Sequence, residues 1–131
     1  MGIVEERRLM REAAIKSAVE AVESIQEILG PVTALVIGSY ARGDFNQWSD
    51  IDLLIMSPDF NPNPLERLEQ LAHMLKKYPS LEIVPLTPSE FQRQIKMKTP
   101  MAEEALQTGL IIKDGLNVFT GSIARSNLRT E

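Results

Sequence analysis

The chain contains no cysteine, and histidine and tryptophan occur once each. Without cysteine there can be no disulfide, thiol nucleophile or zinc knuckle, and one histidine excludes a histidine-rich metal site. This composition fits a reducing compartment, so a cytoplasmic location is expected. Long apolar runs are missing too. None approaches the ~20 residues that a membrane-spanning helix requires. The opening residues, Met1 to Arg8, become charged at Glu5 and lack the apolar stretch of a signal peptide. Basic residues are the minority, with 14 Lys and Arg against 18 Asp and Glu and a net charge of −4. General nucleic-acid binding is therefore not expected. A small anion can still bind where local groups or a metal overturn that average.

The 131 residues are 44% hydrophobic and 24% charged, which suits one folded domain with a real core. Met10, Ala14, Ala18, Ala21, Val22, Ile25, Ile28 and Leu29 recur at helical spacing, and Gly30-Pro31 ends that helix. Val32 to Ile37 reads as a strand buried on both faces, and Ser49 to Met56 as a second strand. Asn63-Pro64-Leu65-Glu66 is a helix start, with Leu65, Leu68, Leu71, Ala72 and Leu75 predicted as its apolar face. Leu81 to Leu86 forms a third strand, with Pro85 placing it near an edge. Thr87-Pro88-Ser89-Glu90 is capping-box grammar for a helix to about Met97, and another helix is predicted from Pro100 to Gln107. Asp114-Gly115, between Leu110-Ile111-Ile112 and Leu116-Asn117-Val118-Phe119, predicts a C-terminal β-hairpin. The expectation is a single α/β (α+β) domain over residues 1–119, followed by a polar, flexible tail over 120–131.

The chemistry concentrates between Val36 and Ile55. A buried strand delivers Gly38-Ser39 into a turn or helix start, where bare backbone and N–H groups favour an anion. Arg42, one turn later, can add charge. Taken alone, a glycine turn with a serine cap is ordinary in α/β proteins. Gly38 and Gly43 have the spacing of a P-loop, but Asp44 and Phe45 stand where it needs Lys and Ser or Thr. A Walker-type ATPase is excluded. Asp50 and Asp52 lead an apolar strand, point to one face and lie about 7 Å apart at ~3.3 Å per residue. Two such carboxylates can converge on a hard divalent cation, although a pair of solvated aspartates is the plainer account. Glu82 starts the third strand. If that strand pairs with the second, Glu82 joins the aspartates in a cluster suited to two-metal phosphoryl transfer.

Gly38-Ser39, ten residues, then Asp50-Ile51-Asp52 resembles the signature of the DNA polymerase beta nucleotidyltransferase superfamily. The small size is similar to its minimal nucleotidyltransferases, which often act as antitoxins beside HEPN-domain toxins. The resemblance implies a nucleotidyltransferase fold, a mixed β-sheet flanked by helices. It also implies Mg²⁺, two ions in the active complex, and transfer of AMP from ATP to a hydroxyl with release of pyrophosphate. By that pattern Asp50 and Asp52 hold the metals, and Gly38 and Ser39 hold the triphosphate. Glu82, where many members carry aspartate, completes the metal site and helps deprotonate the acceptor. Arg42 matches the Gly-Ser-x-Ala-Arg-Gly form of the minimal members as a nucleotide-binding residue. A HEPN toxin or a second copy of the chain is the implied partner. The rival reading is a protein-binding module, an antitoxin acting by contact alone.

The remaining residues carry less. Trp48 is read as packing its loop down, with base stacking the alternative, and Tyr40 either lines a pocket or packs. His73 is read as a surface residue, and Lys96, Lys98 and Lys113 as a solvated face.

Overall fold

A computed structural model describes residues 2–120. Ile3–Leu29 forms the long helix α1, which buries Ala14, Ala18, Ala21, Val22, Ile25 and Leu29. Ala14, Ala18 and Ala21 let that part of the helix lie close against the core. Thr33–Ile37 is β1, Ser39–Arg42 the single-turn helix α2, and Ile51–Met56 is β2. A 3₁₀ turn at Pro64–Glu66 runs into α3, Arg67–Leu75. Leu81–Leu86 is β3, Pro88–Met97 α4, Pro100–Thr108 α5 and Leu110–Asp114 β4. The sheet order is β3-β2-β1-β4, with β2 and β3 parallel and β1 antiparallel to both β2 and β4. The sheet is mixed and flanked by helices on both faces, as expected. Among the described residues no helix is long and apolar enough to cross a membrane.

Side-chain alternation divides the core in two. Ala34, Val36, Leu53, Ile55 and Ile83 pack on one face with α1 and with Leu71 and Met74 of α3. Leu35, Ile37, Leu54 and Met56 pack on the other with Phe91, Ile95, Ala102 and Ala105 of α4 and α5. β1 and β2 are therefore covered on both sides, which is why their sequences do not alternate in polarity. Pro85 lies in an edge strand, as predicted. The helix over Pro88–Met97 opens with the full Thr87–Glu90 capping box.

Two expectations need correction. The apolar face assigned to α3 holds at Leu71 and Leu75, but Leu65, Leu68 and Ala72 are exposed and Arg67 and Met74 are buried instead. A 3₁₀ turn winds tighter than an α-helix, so Leu65, which lies in that turn, does not continue the stripe of Leu71 and Leu75. Arg67 takes the inner position because its guanidinium is satisfied there. It donates to the carbonyls of Asn61 at 2.7 Å and Pro85 at 3.1 Å, and to both Glu90 carboxylate oxygens at 2.6 and 2.9 Å. The predicted C-terminal hairpin also fails, since β4 has no return strand at Leu116–Phe119. The Asp114 carboxylate instead accepts the N–H groups of Val118, Phe119 and Thr120 and the Thr33 hydroxyl. Burial pushes the Asp114 carboxyl up, but these donors together outweigh it and leave it lowered. The chain is thereby turned inward, burying Val118 and Phe119 against Phe91. Of the tail assigned to 120–131, only Thr120 lies within the described residues.

Arg67, together with Thr87, lowers the Glu90 carboxyl from 4.5 to about 2, against an opposing effect of burial. Its stabilising effect is therefore complete above pH 4.5 and is lost as the pH falls toward about 2. Glu90→Gln leaves the buried guanidinium without its counter-charge and should cost about 3 kcal/mol at neutral pH. Urea unfolding at pH 7 and at pH 3 checks this, and the gap between wild type and variant should narrow at the lower pH.

Candidate functional site

The site begins with a close approach of two strands. Ile37 pairs with Asp52 across β1 and β2, and the next residue, Gly38, turns with φ 75° and ψ −153°. A Cβ at Gly38 would lie 2.2 Å from Asp52 Oδ2, so the backbone and the carboxylate share space that only glycine leaves free. The left-handed φ is a second, independent demand for glycine. The Gly38 carbonyl then accepts the N–H groups of Ala41 at 3.1 Å and Arg42 at 3.0 Å, winding α2. Gly43, at φ 99°, closes that turn with its N–H on the Ser39 carbonyl at 2.8 Å. Ser39 is thus the first residue of α2, half exposed and one residue from the Asp52 contact.

The acids come from two parallel strands. The register sets Asp52 directly beside Glu82, with both side chains on the face that carries α4 and α5. Asp50 stands just ahead of β2 and, like Glu82, is exposed, whereas Asp52 is half-buried. Burial raises the Asp52 carboxyl first; the negative charges of Glu82, Asp50 and Glu104 add to the rise, and Arg42 opposes it. Among the described residues, no three carboxylate or imidazole groups stand close enough to hold an ion between them. The donor set is nevertheless of the right chemistry for a hard divalent cation: carboxylate oxygens only, repelling one another without full compensation.

Glu104 was not legible from the sequence. It projects from α5, 62 positions from its ion-pair partner Arg42, and no motif marks it. Arg42 is turned to carboxylates, pairing with Glu104 through Nη1 and with Asp44 Oδ2 at 3.3 Å through Nε.

The turn after β1 is held from behind by α1. Arg11 donates to the carbonyls of Tyr40 at 2.9 Å and Ala41 at 3.3 Å. Arg7 donates to those of Phe45 at 2.9 Å and Gly43 at 2.6 Å, with its guanidinium 4.3 Å over the Phe45 ring. These contacts satisfy carbonyls at the C-terminal end of α2 and in the loop after it. Tyr40 is buried and stacks on Phe45 at 4.4 Å. It also borders a cavity of about 360 Å³ between α1 and the loops before β2 and β3, which touches neither Gly38 nor the acids. Trp48 requires a correction: it is 83% exposed and does not pack its loop. That loop is held by the buried Phe45 ring and by Asn46 and Ser49, whose side chains bond backbone N–H groups within it. His73, Lys96, Lys98 and Lys113 are exposed.

Gly38→Ala should cost about 1–2 kcal/mol for the left-handed backbone and in addition displace the Asp52 carboxylate. The same substitution in an Asp52→Ala background keeps the backbone cost and loses the collision. Chemical denaturation of the four proteins in this cycle should therefore show a smaller cost for Gly38→Ala when Asp52 is absent.

The sequence matches the nucleotidyltransferase domain family over residues 15–108, which spans α1 through α5. Two solved structures share the fold. One is a candidate nucleotidyltransferase from Sulfolobus solfataricus, 20% identical, with a TM-score of 0.61 over 80% of this chain and 84% of that one. The other is a chain from the crystal structure of a toxin–antitoxin with AMP-PNP, 14% identical, with a TM-score of 0.54 over 84% of this chain and 83% of that one. No curated protein sequence matches the chain. With the family match covering Gly38-Ser39, Asp50, Asp52 and Glu82 alike, the chain belongs to the nucleotidyltransferase domain family.

Proposed function

We propose that this chain transfers AMP from ATP to a hydroxyl group on a partner protein, with release of pyrophosphate. The observation that carries the reading is the contact of the bare Gly38 backbone with the Asp52 carboxylate, with Glu82 beside it in register. An anion drawn to the Gly38-Ser39 turn would lie next to carboxylates that repel it, so a cation is required between them. Mg²⁺ held by Asp50, Asp52 and Glu82, two ions in the active complex, would neutralise the triphosphate and the acceptor oxygen. The backbone of Gly38 and Ser39 would orient the triphosphate, Arg42 would take charge at its rim, and Glu82 would receive the acceptor proton. Most of the catalysis is then positioning and electrostatic stabilisation. A partner acceptor is favoured by the openness of the acid site, since Asp50 and Glu82 are exposed. The toxin–antitoxin neighbour supports a toxin as that partner, and the resemblance to the minimal nucleotidyltransferases points to the HEPN class.

A second reading, an antitoxin that acts by contact alone, draws on the fold shared with a chain of a toxin–antitoxin structure. The two readings separate on one variant. Asp52→Asn should reduce transfer of α-labelled AMP to co-purifying protein by about a hundredfold or more, because metal charge stabilisation is worth several kcal/mol. The same variant should melt no lower than wild type, because it removes a charge that Glu82 and Asp50 repel. A folded Asp52→Asn protein with full transfer activity would contradict the catalytic role. A wild type with no transfer that still silences its partner would favour contact.

A further inference from the structure

The motifs around Gly38 and the acids leave Glu104 without a role, yet it is joined to the site. α5 is anchored independently of α2: Thr99 caps it through the Ala102 N–H at 3.3 Å, and Ala102 and Ala105 pack into the core. α2 in turn is fixed by Arg7 and Arg11 of α1. The Arg42–Glu104 pair therefore bridges two separately held elements at the rim of the acid cluster. Both side chains are part exposed, 42% for Arg42 and 30% for Glu104, so solvent weakens the pair and it can open. A guanidinium fork donates to carboxylate and to phosphate oxygens in the same planar geometry. Glu104 also adds negative charge near Asp52, which stability alone does not explain.

We propose that Glu104 is a positioning residue that occupies Arg42 in place of phosphate, holding the guanidinium at the rim until a triphosphate oxygen displaces the carboxylate. This rests on the nucleotidyltransferase reading and adds an exchange to it: the Arg42–Glu104 ion pair opens and an Arg42–phosphate pair forms. Three consequences follow from an internal competitor. Removing its charge tightens triphosphate binding, the gain passes through Arg42, and a shorter carboxylate restores competition.

The experiment is calorimetric titration of ATP and of inorganic tripolyphosphate, each with Mg²⁺, into the full chain. Wild type is compared with Glu104→Gln, Glu104→Asp, Arg42→Gln and the Arg42→Gln/Glu104→Gln double variant. Glu104→Gln should bind both ligands about twofold to fivefold more tightly, the size of a rim ion pair. Glu104→Asp should return toward wild type, and the double variant should match Arg42→Gln. In turnover, Glu104→Gln should lower KM for ATP without raising kcat, a split that a merely structural role would not produce. Unchanged or weaker binding by Glu104→Gln would overturn the exchange, and so would a gain that persists without Arg42. If wild type and every variant fail to bind ATP with Mg²⁺, the nucleotidyltransferase reading fails, and the exchange with it.

Discussion

Gly38 has no side chain, and that single omission lets the end of β1 press against the Asp52 carboxylate. A methyl group there would lie 2.2 Å from Oδ2. The rest of the site follows from this contact. The strand must turn with a left-handed φ immediately after Ile37, α2 must begin at once, and its first residues must lie beside the acids. Asp52 is consequently fixed in a half-buried position among like charges, and its carboxyl is raised by burial first and by Glu82, Asp50 and Glu104 next. Such an arrangement is unfavourable for the free protein. It is the arrangement expected where stability is given up to keep oxygen ligands together for a cation.

The scaffold compensates away from the acids. Two arginines of α1 cap the carbonyls of the turn, and Phe45 fills the space beneath it with Tyr40 and Arg7 against its ring. On the other flank, the buried Arg67 joins Asn61, Pro85 and Glu90, tying the β2–α3 connection to the edge strand and to α4. β2 and β3 are parallel and therefore need a long crossover, and this cluster braces it. The pairing of β2 with β3 sets Asp52 beside Glu82. A slip of one residue between the strands would carry Glu82 to the opposite face.

How much could be read beforehand depended on the range of each interaction. β1 and β2 were legible because both are continuous apolar runs, and α4 because Thr87 and Glu90 form a local box. The Gly38-Ser39 and Asp50-x-Asp52 spacing lies within a single stretch of chain, so these residues could be singled out as candidates from the sequence. The burial of Arg67 was not, since it rests on Glu90 and Pro85, far along the chain. Leu65 and Leu68 misled for the same reason, because helical periodicity cannot reveal that an arginine owns the inward position. Asp114-Gly115 carried a strong hairpin signal, but the Asp114 carboxylate meets three backbone N–H groups and turns the chain inward. Arg7, Arg11 and Glu104 belong to no local motif, and their roles exist only once α1, α2 and α5 have been brought together.

The central claim is that a divalent cation and a nucleotide meet at the Gly38 turn. Titrating Mn²⁺ with ATP into the isotopically labelled protein tests it most directly, because the bound ion broadens amide signals only within its immediate surroundings. The account predicts selective broadening at Gly38, Ser39, Asp52 and Glu82, reversed by EDTA. Broadening centred on the exposed carboxylates of α1, such as Glu12, or no localised effect at all, would contradict it.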